Sequence, residues 1–377
     1  MRAWRTRRIL LALTLILLLL LACGGMAWRG RTEGPTEYYE IQLQASRQLE
    51  RCFAAVKGYK AELGIPMSGE DLHQTGMIGQ SYTGITTTLG AVEAKRTTAW
   101  PEMGALCVRL LYEAGVRPGD TVGAGFSGSF PGMDLALVAA CESMDVKLIC
   151  IASVGASTYG ANDPELTLPE MLWRLKRDGL IQTESAMVTI GGSGDVGRDM
   201  DQELAGQIRA RLLACGLNLV EEADFQKNLA LREELYRTEG PIRCFVAVGG
   251  NITSMGEGES GISLGQGVLH PLRSPQLDES SGLVQRYLAQ GVPVINLLNI
   301  KKLTADYGLP FDPADWPEEG TSAVYFHMQY PKGWLALGTA GSAALLLWCG
   351  AVRKCKGAKG KGEIRRERKE TEDPDDR

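Results

Sequence analysis

The chain has little of what usually announces a chemistry. It carries three histidines, His73, His270 and His327, so relays built on imidazole have few places to form. None of its nine cysteines belongs to a C-x-x-C pair, which removes the usual support for a zinc or dithiol site. No G-x-x-x-x-G-K-[ST] occurs, so ATP-driven amide ligation cannot be assigned by motif. No metal and no cofactor are expected. Two long stretches also lack any charge: residues 9–28, ILLALTLILLLLLACGGMAW, and residues 334–352, WLALGTAGSAALLLWCGAV.

Either run, as a helix, can cross a hydrocarbon core of about 30 Å. Arg2, Arg5, Arg7 and Arg8 precede the first, and Arg353, Lys354, Lys356, Lys359 and Lys361 follow the second. Positive charge on both outer flanks places both termini in the cytoplasm and the middle of the chain outside the cell membrane. The first run exceeds a signal-peptide core and lacks a clean A-x-A site, which favours an uncleaved anchor. LLACG, ending at Cys23-Gly24, offers a lipobox as an alternative, and a buried core helix is the alternative for the second run. The expected organisation is a basic terminus (1–8), a membrane helix (9–28), a stalk helix packing on the body (29–64), an extracytoplasmic domain (65–332), a second membrane helix (333–352) and a charged tail (353–377).

Subtracting the +4 of the first eight residues and the +3 of the tail from the whole-chain −5 leaves −12 between them. An acidic domain binds neither nucleic acid nor other polyanions through bulk charge. Six cysteines of that domain, Cys52, Cys107, Cys141, Cys150, Cys215 and Cys244, fall in apolar patterns and read as buried thiols rather than a disulfide framework.

Apolar positions from Tyr38 to Leu63 recur every three or four residues, one face of a long helix. Residues 65–98 read as two short strands or an ordered loop, in which Glu93, Lys95 and Arg96 form either a further polar cluster or part of a solvent-facing strand. Beyond, strand-length apolar runs alternate with helical patterns, with a capping box at Thr167 and Glu170. This implies a doubly wound α/β fold with a mostly parallel sheet. An echo between VTIGGSG and VAVGGNI points to two related halves, about 99–216 and 217–330.

Four strands end in glycine- and serine-rich loops, which in a parallel sheet converge on the crevice where ligands bind. The first, GAGFSGSFPG, holds a G-x-G-x-x-G at Gly123, Gly125 and Gly128. The acidic residue that a dinucleotide fold needs after the next strand is missing, so nucleotide binding is not supported. A nucleophile elbow would use Ser127 with His270 as base, but Ser129 stands where the second glycine belongs, leaving no complete catalytic motif. An anion site asks less: Gly125, Ser127, Gly128, Ser129, Ser157, Ser193 and Thr253 supply amides and hydroxyls, and Arg198 a guanidinium. Tight structural turns explain the same glycines.

The stretches GITTTLG, FSGSFPG, TIGGSGDVGRD and VGGNITSMG, between two apolar runs, resemble the poly-gamma-glutamate system protein family over residues 36–330. Members are bacterial membrane proteins encoded beside the poly-gamma-glutamate synthase and export components. The resemblance implies an accessory capsule protein with synthase or export subunits, the glutamate polymer or its chain end, and the lipid bilayer as partners. It supplies no catalytic residues to carry over. A serine hydrolase or amide-transfer enzyme acting on the polymer and a small-anion sensor are the alternatives.

Overall fold

The computed structural model describes residues 2–238, 240–258, 262–271 and 276–348. They fall into two compact units: a body, Thr36–Phe326, and a terminal unit made of the segments on either side of it.

The chain opens with α1 (Arg2–Arg29) and β1 (Thr32–Pro35). The body follows as α2 (Tyr39–Glu62), β2 (Thr86–Thr88), α3 (Val92–Thr98), α4 (Met103–Glu113), β3 (Thr121–Ser127), α5 (Pro131–Ser143), β4 (Lys147–Ser153) and β5 (Ala156–Ser157). It continues through α6 (Leu168–Arg177), β6 (Ser185–Thr189), α7 (Gln202–Ala214), α8 (Phe225–Tyr236), β7 (Cys244–Val248) and α9 (Ile252–Met255). Then come β8 (Gly267–Leu269), α10 (Leu283–Ala289), β9 (Val294–Leu297), α11 (Ile300–Asp306) and β10 (Phe326–Gln329).

The main sheet, among the described residues, has six strands in the order β6-β4-β3-β7-β9-β8. Its first five strands are parallel and β8 runs antiparallel to β9. The mostly parallel α/β expectation therefore holds. The segments 99–216 and 217–330 contribute three strands each to this one sheet, so both halves share one body rather than forming separate ones. The strands are nearly continuous apolar runs because both faces are covered. Val122, Ala124, Phe126, Cys150 and Val246 face a core shared with α2, α4, α5 and α6. The alternate residues Ile149, Ile151, Phe245 and Ala247 face α8, α9 and α10. The period-2 alternation of a strand produces this division directly.

The expected long helix is α2, and it sits deeper than a stalk. Leu49, Cys52 and Val56 are buried, and the helix packs on α4 and α5. Gly104 permits the α2–α4 approach, since a Cβ there would lie 2.8 Å from the Ala45 carbonyl oxygen. Buried Lys60 pairs with Asp163 at 2.8 Å. The capping box forms as expected, with the Thr167 N–H donating to Glu170 at 2.9 Å. Residues 65–91 are an ordered loop with one short strand, Thr86–Thr88, but the solvent-facing strand is not formed: Glu93, Lys95 and Arg96 lie on helix α3, with Lys95 buried and Arg96 paired to Asp312 at 2.6 Å. NLVEEA contributes a single bridge, Val188 to Leu219. The six body thiols are free, and all except the half-buried Cys215 are buried.

In the terminal unit, residues Ile9–Arg29 of α1 form a helix long and apolar enough to cross a membrane. β1 pairs with β10, and residues 332–348 are helical. A Cβ on Gly338 would lie 3.1 Å from Cβ of Cys23, one on Gly341 would lie 2.7 Å from Leu19, and one on Gly30 would lie 3.2 Å from Pro331. Partners that descend in number as the others rise define an antiparallel helix pair, joined through small residues. Cys23 is buried in that contact. The end of the second apolar run and the charged tail lie outside the described residues.

Candidate functional site

From β3 the sheet grows through β4 to β6 on one side, and β7 then returns to β3's other side. The carboxyl ends of β3 and β7 are thus the topological switch point, where open α/β sheets bind ligands. The loops meet there. The Ala161 N–H donates to the Gly128 carbonyl at 2.6 Å, and Gly155 N–H to the Ile190 carbonyl at 2.9 Å. Gly249, at φ 74°, brings its backbone so close that a Cβ would lie 3.1 Å from Cβ of Ser127. A fifth segment crosses the rim: Asn162 accepts the Gln80 N–H at 2.9 Å and donates to Thr86 Oγ1 at 3.0 Å.

The glycine pattern on β3 serves packing. Gly123 and Gly125 lie on the face covered by α8 and α9, where Cβ atoms would come within 3.0 Å of Tyr236 and 2.6 Å of Ser254 Oγ. A Cβ on Gly128 would lie 2.7 Å from the Val154 carbonyl oxygen. Gly125 and Gly128 therefore lie against protein and are not free to receive a ligand.

Three of the expected serines do converge. Ser127 Oγ donates to Ser129 Oγ at 3.1 Å, and Ser129 Oγ accepts the Ser157 N–H at 3.1 Å. At the centre stands Lys95, which the sequence left open between a polar cluster and a solvent-facing strand. Lys95 is 3% exposed; its Nζ donates to Ser157 Oγ at 2.7 Å and to the Ser129 carbonyl, and lies 3.6 Å from the centre of the Phe130 ring. Burial pushes this ammonium down to about 7, with Asp134 opposing the shift. Asp134, on the first turn of α5, is 0% exposed. Neither of its oxygens closes a hydrogen bond of good geometry, although the Ser127 amide lies near enough to favour the charged form. Burial dominates and raises its carboxyl well above the ordinary range. Among the described residues no carboxylate lies within ion-pair distance of Lys95.

The remaining expected residues stand apart from this cluster. Ser193 and Arg198 are exposed on the loop after β6, where Asp199 takes the Ser193 N–H at 2.7 Å. That loop is anchored by a closed buried network: Asp195 accepts from Arg232 at 2.5 Å, Asn228 at 2.9 Å and Thr189 at 3.0 Å. Thr253 is buried, its hydroxyl donating to Asn251 at 3.1 Å. His270 does not reach Ser127. It is exposed just after Leu269, which lies level with Val294, Phe245 and Gly123 in successive strands. That is three strands and four residues from Ser127, on the order of 20 Å. The Ser127–His270 pair of the elbow reading is not formed.

Sequence reasoning missed the roles of Lys95 and Asp134. Asp134 lies among DLALVAA, where an acid in an apolar helix was the available signal. Lys95 gave only an ambiguous one, because the charges of AVEAKRTT read equally as a polar cluster or as a solvent-facing strand.

The chain matches no family model, no curated protein and no solved structure.

Proposed function

We propose that this chain is a membrane-anchored accessory component of poly-gamma-glutamate biosynthesis or export, and that its rim site holds a carboxylate of the polymer's chain end. The carrying observation is Lys95, a buried cation among the loops that follow β3 and β4, with no ion-paired carboxylate among the described residues. A desolvated ammonium without a counter-ion is stabilised by any anion that reaches it. Confinement also answers the charge problem: an acidic body repels a long polyanion, but a single end group need meet only Lys95 and the hydroxyls of Ser127, Ser129 and Ser157. Two of the stretches that carry the family resemblance, GITTTLG and FSGSFPG, meet at this cluster, through Gly90 over Ser157 and through Ser127 and Ser129.

The anchor reading extends to two spans. The helix at 332–348 packs antiparallel on α1, and the basic residues on both outer flanks favour cytoplasmic termini with the body outside. Burial of Cys23 against Gly338 supports an uncleaved helix over a lipidated one.

Isothermal titration of the full chain in nanodiscs with glutamate oligomers tests the site. Binding should appear at pH 6, weaken at least about tenfold by pH 8.5 as Lys95 loses its proton, and vanish in Lys95→Met. No heat at millimolar oligomer, or binding unchanged in that variant, would reject the site.

A further inference from the structure

We infer that Ser157 is an acyl-accepting nucleophile and Lys95 its general base, giving the site amide-bond chemistry on a γ-glutamyl substrate. The inference takes its substrate class from the proposed function, but the nucleophile stands on its own geometry. Ser157 Oγ and Lys95 Nζ are 2.7 Å apart, within the reach required of a nucleophile and its base. Both are held from two sides. Ser157 is fixed by its N–H on Ser129 Oγ, and Lys95 by the Ser129 carbonyl and the Phe130 ring. Asp134 is the titratable group that bears on Lys95. Arg96, next to it on α3, is turned away to Asp312 and Glu70. A lysine titrating at about 7 has the amine form available at neutral pH, as a base needs.

The step balances with water or an amine as the second reactant. The Ser157 proton passes to the Lys95 amine as Oγ attacks the amide carbonyl carbon. The C–N bond breaks as Lys95 returns that proton to the leaving nitrogen, and an ester remains on Ser157. Water or an acceptor amine adds to the ester through the same lysine, and Oγ departs with its proton. Hydrolysis leaves a carboxylic acid, whose ionisation onto Lys95 gives the carboxylate–ammonium complex proposed above.

Ser157 is buried, and its cover is identifiable. Gly90 lies over it, a Cβ there falling 2.9 Å from Ser157 Oγ. Thr158 ties that cover down, accepting the Gly90 N–H at 2.8 Å, donating to the Gly90 carbonyl at 2.9 Å, and donating its own N–H to Thr88 at 3.0 Å. Leu89, between them, is 86% exposed. The strap 88–90 must lift for substrate to enter, breaking these Thr158 bonds and the pairing of Thr88 with Ser157 in the β2–β5 ladder.

Full-length protein in detergent and in its native membrane is treated with a fluorophosphonate, and the modified residue is mapped by mass spectrometry. The label should sit on Ser157, form faster as pH rises through about 7, and slow at least about 100-fold in Lys95→Met. Thr158→Val, which frees the strap, should speed it about tenfold. No label in either preparation, label on Ser127 or Ser129, or a rate indifferent to Lys95 would overturn the assignment. Labelled Ser157 without oligomer binding would keep the nucleophile and reject the polymer as its substrate. Oligomer binding without label would do the reverse.

Discussion

Replacing Lys95 by methionine should stabilise the protein while disabling its site. The lysine's shift from 10.5 to about 7 means that burying its ammonium form costs about 5 kcal/mol at 1.36 kcal/mol per unit. At pH 7 half the folded molecules already carry the amine, which leaves a cost of about 4 kcal/mol. Methionine removes that cost and fills similar volume. It also forfeits the bonds to Ser157 and the Ser129 carbonyl, about 1 kcal/mol each. The net gain is about 2 kcal/mol, or roughly 3 °C in Tm for a body of this size. The sign with pH follows from linkage. Between about 7 and 10.5 the unfolded chain holds the Lys95 proton and the folded one does not, so wild-type stability rises with pH by up to about 1.4 kcal/mol per unit. The variant lacks that slope, and its advantage is greatest below pH 7 and gone near pH 9. Asp134 is present in both proteins, and losing the Lys95 charge raises its carboxyl further in the variant, so its contribution makes the variant's advantage fall with pH in the same direction. Urea unfolding of both proteins at pH 6, 7, 8 and 9 measures the difference. A variant less stable at pH 7, by an amount independent of pH, would refute the claim that Lys95 is held at an energetic cost.

Asp195→Ala strands Arg232, 2% exposed, without its partner, and should cost about 3–5 kcal/mol in the same urea experiment. A loss under 1 kcal/mol would mean that water reaches the network. Gly128→Ala drives a methyl to 2.7 Å from the Val154 carbonyl and should lower stability by about 1–3 kcal/mol; an unchanged Tm would show the turn yielding freely. Gly338→Cys sets a thiol beside Cys23, so mild oxidation of the full chain should give a 23–338 disulfide by peptide mass mapping. Failure to form it would argue against the helix pair.

The sheet was legible in the sequence because burial on both faces leaves runs such as CFVAV and LICIAS, whose short length, β-branched and aromatic residues and flanking turn residues mark them as strands rather than buried helix. The helices between them were equally plain, down to the reciprocal bonds of Thr167 and Glu170. The site was legible only in part. Strand-to-helix loops must gather at the carboxyl edge of a parallel sheet, so Ser127, Ser129 and Ser157 could be grouped without coordinates. Lys95 could not, because a seven-residue helix carries too few turns to show a period, and its buried face, Lys95, Thr97 and Thr98, is polar. Gly125 and Gly128 were misplaced in the anion site for a related reason: a glycine pattern records where side chains are missing, not whether a ligand or a neighbouring helix fills the space.

The burial of the body's sulfur has a practical corollary. Desolvation pushes the Cys52, Cys150 and Cys244 thiols up to about 12, and Cys107 and Cys141 are as deeply enclosed. Cys215 alone among the described body thiols meets solvent. With Cys349 and Cys355 changed to serine, the folded chain carries its own reporter of sidedness. A maleimide that cannot pass the bilayer will tag Cys215 on intact cells if the body faces outward, and only after lysis if it faces in.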